Sequence, residues 1–392
     1  MRKTFSFKLY SSKKNRALHN KINVAASVYN HCIALHDCYY RVFRKHLHKY
    51  ALQKHLTKLM RMEKYAYWRT IGSNALQDIT DRIELGYQLF FRNLKKRDKG
   101  NIKSQASPPS FKKYRKYKSI TFKNAGYKVL ESNKIRIGDE IFKYSKSRDI
   151  EGVIKTLTIK RNPLGEIFLF FSCELPEIQI TRTMTGKSAG FDFGLKKFLT
   201  SSDGCDIDSP LFFFDSQKRI AQACKNLSRK KKGSSHQKES LFNVTRLQQR
   251  VVNKRNDYQF KLARKLVTNY DFLFFEDLNI AGMKRLWGKK ISDLGFSSFM
   301  EKIRYLSSQT GAKVVTIDRF YPSSKTCHEC LYIKPDLSIK ERIWQCELCK
   351  SIHDRDRNAA LNIFREGASS LGLGDIRPLE RQSLLEARIT HN

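Results

Sequence analysis

Polar and apolar residues alternate over residues 2–10, Arg-Lys-Thr-Phe-Ser-Phe-Lys-Leu-Tyr. A period of two predicts a half-buried β-strand. The pattern then changes to helical spacing. From residue 14 to about 96 there is no proline and little glycine, and apolar residues recur three and four apart: Ile22, Ala25, Val28 and Tyr29, later Leu76, Ile79, Ile83, Tyr87 and Phe90. Several helices are expected, ending in the charged run 95–100. After Pro108-Pro109 short alternating runs return at 119–122, 134–137, 156–160 and 167–171, with Asn124-Ala125-Gly126 and Asn162-Pro163-Leu164-Gly165 as turns. These runs read as a small β-barrel. The first strand belongs to it, which makes the helices an insertion.

A second unit begins near Lys187. Ser188-Ala189-Gly190-Phe191-Asp192-Phe193-Gly194 is a buried strand with one Asp inside it, and residues 195–200 form the next strand. A basic helical pair is expected over 218–269, broken at 228–235, with Val244, Leu247, Val251, Tyr258, Leu262 and Leu266 in one apolar stripe. The run 271–280 is an apolar strand ending in Glu276 and Asp277. An amphipathic helix over 291–310 and a buried strand over 313–318 follow. The glycine-rich tail after about residue 366 predicts loose order.

Charge narrows the function. The chain has 76 Lys and Arg against 37 Asp and Glu, a formal net charge of +39. A surface kept merely soluble mixes its signs, whereas this excess calls for a polyanion such as nucleic acid. The best candidates for phosphate contact are Arg229, Lys230, Lys231 and Lys232 in the break, and Arg250, Lys254 and Arg255 on the helix after it. The first residues lack the apolar core of a secretory signal, and no apolar run is long enough to cross a bilayer. A reducing, cytoplasmic location is expected, nucleoid-associated when bound to DNA, without a membrane partner.

The cysteines sharpen the reading. Cys327 and Cys330, then Cys346 and Cys349, form two Cys-x-x-Cys knuckles fifteen residues apart. That spacing is a zinc ribbon: each knuckle offers two thiolates on one turn, and the gap spans a returning hairpin. Four thiolates leave zinc no open position, so the expected ion is structural. His328 and His353 are expected to face substrate or solvent. Directly after the ribbon stand Asp354 and Asp356, opening a helix-forming run. Either could be an N-cap acid.

An acid on the first strand, one ending a later strand and one opening the last helix describe a ribonuclease-H-like nuclease. Hydrolysis of a phosphodiester at neutral pH needs an activated water and a charge partner for the leaving oxygen. A pair of divalent cations held by carboxylates supplies both. Asp192, Glu276 and Asp356 are the candidates, with Asp203, Asp277 and Asp318 in supporting roles.

The order Gly-Phe-Asp-Phe-Gly, Leu-Ser-Arg-Lys-Lys-Lys-Gly-Ser, Phe-Glu-Asp-Leu-Asn-Ile, Tyr-Pro-Ser-Ser-Lys-Thr-Cys-x-x-Cys, Trp-x-Cys-x-x-Cys and His-Asp-Arg-Asp-x-Asn-Ala-Ala resembles TnpB. These are the OrfB-type proteins of insertion sequences, related to type V CRISPR effectors and Fanzor. The resemblance implies a mixed α/β multidomain fold: a wedge β-barrel with inserted recognition helices, then a RuvC-like nuclease domain of ribonuclease-H type with an inserted zinc ribbon. It divides the chain into the first wedge strand (1–13), recognition helices (14–98) and wedge barrel (99–184). RuvC-like segments (185–320 and 351–368) then flank the ribbon (321–350), and a flexible tail (369–392) ends the chain. It implies RNA-guided DNA cleavage with Mg²⁺ or Mn²⁺, one zinc ion and a transposon-derived guide RNA, on double-stranded target DNA beside a short motif. It selects Asp356 over Asp354 as the third acid. Leu331 and Lys350 stand where the family has glycine after each knuckle, which predicts a distorted or weaker ribbon. Alternatives are a compact type V CRISPR-like effector and an RNA-guided repressor without cleavage. The presence of all three acids argues against the repressor.

Overall fold

The computed structural model describes residues 2–99, 107–123, 125–176, 182–338 and 340–372. Most of the expected tail, 369–392, lies outside them. The chain divides into two compact units, Met1–Ile178 and Gln179–Asn392.

In the first unit β1 (Arg2–Lys8) leads into α1 (Asn15–Phe43), α2 (Lys49–Leu59), a 3₁₀ segment (Glu63–Ile71) and α3 (Ser73–Asp98). Strands β2 (Ser119–Phe122), β3 (Tyr127–Leu130), β4 (Lys134–Ile137), β5 (Glu140–Lys143), β6 (Val153–Arg161) and β7 (Ile167–Glu174) follow. One sheet has the order β1-β7-β6-β2 and β3-β4-β5 form a meander. The end of β1 joins them: Leu9 bridges to Tyr144, and Tyr10 N donates to Lys143 O at 3.0 Å. The first strand is thus paired with the last one, Phe5 against Phe171, as expected of a barrel strand separated from its partners by inserted helices. Phe5, Phe7, Ile120, Leu157 and Phe171 share one core with Leu18, Ile22, Ile79 and Ile83 of the helices. Strands β3 and β5 were not anticipated, being four residues each with charged or polar members.

In the second unit β8 (Ser188–Phe193), β9 (Lys197–Ser201) and β10 (Ile207–Asp208) precede α4 (Phe212–Ser228) and α5 (Ser235–Asn269). Then come β11 (Phe272–Glu276), α6 (Ile280–Leu294), α7 (Phe296–Thr310), β12 (Lys313–Ile317), β13 (Ile343–Gln345), β14 (Ile352–Asp354) and α8 (Arg355–Ser370). The main sheet has the order β10-β9-β8-β11-β12, antiparallel from β10 to β8 and parallel from β8 to β12. Its two faces follow the strand period of two. Leu273 and Phe275 of β11 pack with Leu262, Leu266, Phe299 and Ile303 of α5 and α7. Phe274 between them packs with Ile363, Phe364 and Ala368 of α8.

Two sequence expectations change here. The helix expected over 291–310 is two helices, because Gly295 at φ 62° ends α6 and starts α7. Helix α8 continues through Gly367 and Ala368, both buried, to Ser370. Gly367, placed by the sequence at the start of the loosely ordered tail, is instead where α8 approaches β11: a Cβ there would collide with the Phe274 ring. Gly190 on β8 is the matching position, since its Cβ would lie 2.5 Å from Phe364 N.

The knuckles keep their turns without glycine. Leu331 N donates to Cys327 O at 2.9 Å and Lys350 N to Cys346 O at 3.0 Å, closing the two turns. Leu331 (φ 65°) and Lys350 (φ 63°) hold left-handed backbone there. For a residue with a Cβ this costs about 1–2 kcal/mol each. Replacing Leu331 and Lys350 together by glycine is therefore expected to slow release of zinc to a chelator. Gly190→Ala is expected to lower the thermal midpoint of the protein by several degrees, since overpacking typically costs about 1–3 kcal/mol; an unchanged melt would show that α8 yields at that point.

Candidate nuclease centre and metal-holding knuckles

The sheet places two of the acids. The last paired residues of β8 and β11 are Phe191 and Phe275. The residues that follow, Asp192 and Glu276, are neighbours at the carboxyl edge of adjacent parallel strands. Asp356 reaches the same region from the first turn of α8, which packs against β8 through Gly190. Asp354 plays the other role open to it. It is the N-cap, and its Oδ1 accepts from Arg357 N at 2.9 Å.

Asp192 is held well above the usual carboxylate range, first by burial, then by the Glu276 and Asp356 carboxylates, with Arg355 opposing. Glu276 is also raised, by burial and then by Asp277. Anions gathered without a full set of countercharges are the donor chemistry that suits a divalent cation. The oxygens are not closed on one point. Among the described residues, the one group of three or more potential ligands whose atoms lie within 4.8 Å of one another is the cysteine quartet. Asp356 has a partner of its own: Arg342 Nη1 lies 2.7 and 3.0 Å from its two oxygens. Arg342 was not singled out from sequence, where it is one basic residue among many in the ribbon hairpin.

The supporting acids have local duties. Asp203 accepts from the Tyr270 hydroxyl and from Ser201 Oγ. Asp277 pairs with Arg319, and Asp318 accepts from Phe320 N at 2.7 Å.

The knuckles bring four sulfurs together, with Cys327 to Cys349 and Cys330 to Cys346 both 3.5 Å apart. Tetrahedral zinc with bonds of about 2.3 Å places its sulfurs roughly 3.8 Å apart, so the quartet fits that ion. Burial pushes the Cys327 thiol up to about 12, whereas the Ser351 hydroxyl and backbone N–H pull Cys349 down to about 6. His353 departs from the sequence expectation. It is buried, with Nε2 3.1 Å from Cys327 Sγ, and faces the cluster rather than substrate or solvent.

Two asparagines that sequence reasoning passed over join ribbon to helix. Asn358 Nδ2 donates to Thr326 O at 2.8 Å, and Asn362 Nδ2 to Ser323 O and Thr326 O at 2.8 and 2.6 Å. Four residues apart, they share one face of α8. They satisfy carbonyls just before the first knuckle, and His328 N donates back to Asn358 Oδ1 at 3.1 Å. Their spacing one turn apart was the available signal.

Of the basic candidates, Arg229, Lys230, Lys231 and Lys232 are exposed between α4 and α5, and Arg250 and Lys254 are exposed on α5. Arg255 is a correction. Its Nη1 donates to Ser292 O and Asp293 O, both at 3.0 Å, so its guanidinium is committed to holding the end of α6.

Residues 170–286 match the family described as "Probable transposase" of OrfB (IS605) type, and residues 296–363 match the "Cas12f1-like, TNB domain". A protein of Streptomyces pristinaespiralis named "Putative RNA-guided DNA endonuclease" is 29% identical over 336 residues, 84% of this chain and 80% of the relative. InsQ of Escherichia coli (strain K12), with the same description, is 23% identical over 81% of this chain and 85% of its own length. TnpB-like protein L79 of Acanthamoeba polyphaga mimivirus is 27% identical over 57% of this chain and 46% of its own. The solved Cas12f1–sgRNA–target DNA complex has the same fold, at 16% identity, with a TM-score of 0.55 over 90% of this chain and 83% of that one. Both sequence regions, the relatives and the fold point the same way: this chain is similar to the OrfB-type, TnpB-like proteins of insertion sequences.

Proposed function

We propose that the protein is an RNA-guided DNA endonuclease in which Asp192, Glu276 and Asp356 hold divalent cations, Mg²⁺ or Mn²⁺, for phosphodiester hydrolysis. The observation that carries the reading is the placement of two strand-end acids on adjacent strands with a helix-start acid docked beside them, the Asp192 carboxyl being driven up by burial first and then by the other two. Bound divalent ions supply an activated water and charge stabilisation of the leaving oxygen.

The chain's own residues prepare that chemistry. Asp192 and Glu276 are fixed by the β8–β11 ladder, and Asp356 by the docking of α8 on the same strands. Arg342 neutralises Asp356, so a cation that engages Asp356 competes with a guanidinium for the same oxygens. Once released, that guanidinium stands beside the centre, where a scissile phosphate brings negative charge. A single set of acids implies that the two DNA strands enter one after the other.

Sequence is read by base pairing between guide and target, and the protein holds both backbones. The net charge of +39 suits that task. The exposed Arg229–Lys232 turn and the Arg250 and Lys254 face of α5 are the proposed phosphate contacts. The guide is proposed to come from the element's own transcript, and the target to lie beside a short motif. Work on DNA places the protein in the cytoplasm, at the nucleoid when bound. No helix among the described residues is long and apolar enough to cross a membrane.

With guide and target supplied, Asp192→Ala is expected to reduce cleavage by roughly 10²–10³-fold or more while guided binding persists. Removing a buried, repelled carboxyl is also expected to leave the metal-free thermal midpoint unchanged or higher. Cutting at the wild-type rate would falsify the assignment. Arg250→Glu combined with Lys254→Glu is expected to weaken nucleic-acid binding and flatten its dependence on log salt by about 0.7–0.9 per lost phosphate contact. An unaltered slope would mark that face as merely solvated.

A further inference from the structure

His353 lies outside the cysteine set and outside the three acids, yet it touches one and precedes the other by three residues. Its Nε2 is 3.1 Å from Cys327 Sγ. Both residues are buried, Cys327 completely. On the other side its ring packs against Trp344 at 4.8 Å between centroids. The β13–β14 ladder holds this arrangement by pairing Trp344 with His353 and Ile343 with Asp354. The next residue along, Arg355, donates its N–H to Arg342 O at 2.8 Å. One short strand therefore carries, in sequence, the contact to the sulfur cluster, the N-cap of α8 and the start of the turn bearing Asp356.

We propose that His353 is a positioning residue of the metal-holding cluster, its Nε2–H donating to the Cys327 thiolate and so tying the loaded knuckles to the acid-bearing turn of α8. The proposal rests on the reading of the quartet as a zinc site. A thiolate that holds zinc can only accept, which makes Nε2 the protonated nitrogen of the imidazole. Four thiolates around one Zn²⁺ leave a net charge of about −2, and Cys327 carries its share with no access to water. Donors must come from the protein. The backbone N–H groups of Glu329 and Cys330 are two of them, and His353 supplies a side-chain donor from the opposite strand. Each donated hydrogen bond draws density from the sulfur and makes it a poorer target for protons and electrophiles, so the metal stays longer. His353 is not a fifth ligand. The four sulfurs form a closed set within 4.8 Å, and no histidine nitrogen belongs to it.

The test uses the full-length protein carrying zinc, and cobalt in its place, with His353→Phe, His353→Gln and the wild type. Phenylalanine keeps a ring against Trp344 but removes the donor. Glutamine places an N–H close to the original Nε2. His353→Phe is expected to release zinc to a chromophoric chelator roughly 10–100-fold faster than wild type. Its cobalt form should show the sulfur-to-metal charge-transfer band moved to lower energy, while His353→Gln stays close to wild type in both. Should the phenylalanine variant fail to fold, His353→Met, flexible and without a donor, takes its place. Wild-type release with an unmoved band in the donor-free variants overturns the proposal. So does a glutamine variant as leaky as the phenylalanine one, which would assign His353 to packing alone. A wild-type protein that binds neither zinc nor cobalt removes the zinc reading itself, a failure distinct from the other two.

Discussion

Helix α8 lies so near β8 and β11 that no side chain fits at either point of closest approach. Gly190 leaves room for the backbone of Phe364, and Gly367 for the ring of Phe274. Ala359 and Ala360, buried between the clamping asparagines, are small as well. The approach fixes where the first turn of α8 stands relative to the strand ends. Asp192 and Glu276 are placed by hydrogen-bonded pairing, which is stiff, but Asp356 is brought in by packing. Packing at backbone contact is the closest substitute for a ladder. The same helix presents Asn358 and Asn362 to the ribbon, so one element sets the third acid against the sheet and the metal-stapled hairpin against both.

This architecture gathers charge that would otherwise stay apart. The raised pKa values of Asp192 and Glu276, due first to burial, mean that the fold works against ionising them. Folding tolerates this because each acid sits at an element terminus beside well-packed interior, where Leu273, Phe274 and Phe275 are entirely buried. Local strain at a centre supported by surrounding packing is common where function requires it. Arg342 pairs with Asp356, and Arg355 opposes part of the shift at Asp192. The Arg355 N–H bond to Arg342 O ties the backbone of Arg342 to the start of α8, which keeps its guanidinium within reach of Asp356.

Periodicity alone located β1, β2, β4, β6, β7, β8, β9, β11, β12 and the α4–α5 pair, because each buries one face or both and its residues say which. The acids were legible because an Asp or Glu inside or ending an apolar run breaks the pattern that otherwise defines the strand. The knuckles were legible because metal geometry constrains spacing. What escaped depends on contacts far apart in sequence. Arg342 meets Asp356 only after the hairpin returns, and nothing in its neighbours separates it from other arginines. His353 looks polar and exposable until β13 is placed against it. Arg255 looks like a phosphate contact until the end of α6 arrives beneath it. Gly367 and Gly295 show the limit most clearly: the first continues a helix and the second divides one, and only tertiary contact and the left-handed φ of Gly295 tell them apart.

The two departures from glycine in the knuckles bear on how the ribbon persists. Left-handed Leu331 and Lys350 raise the energy of the turns that present the sulfurs. A cluster so burdened depends more on what surrounds it: the hydrogen bonds to the sulfurs, the Trp344 and Leu337 core beneath them, and the asparagine clamp from α8. The clamp and the His353 contact hold the first knuckle at two points, one at the chain just before Cys327 and the other at its sulfur. Rigidity of that knuckle therefore comes from α8 and β14 more than from its own turn. Since β14 continues directly into α8, the His353 contact to the sulfur cluster and Asp356 lie on one continuous backbone segment, and whatever holds one of them in place bears on the other.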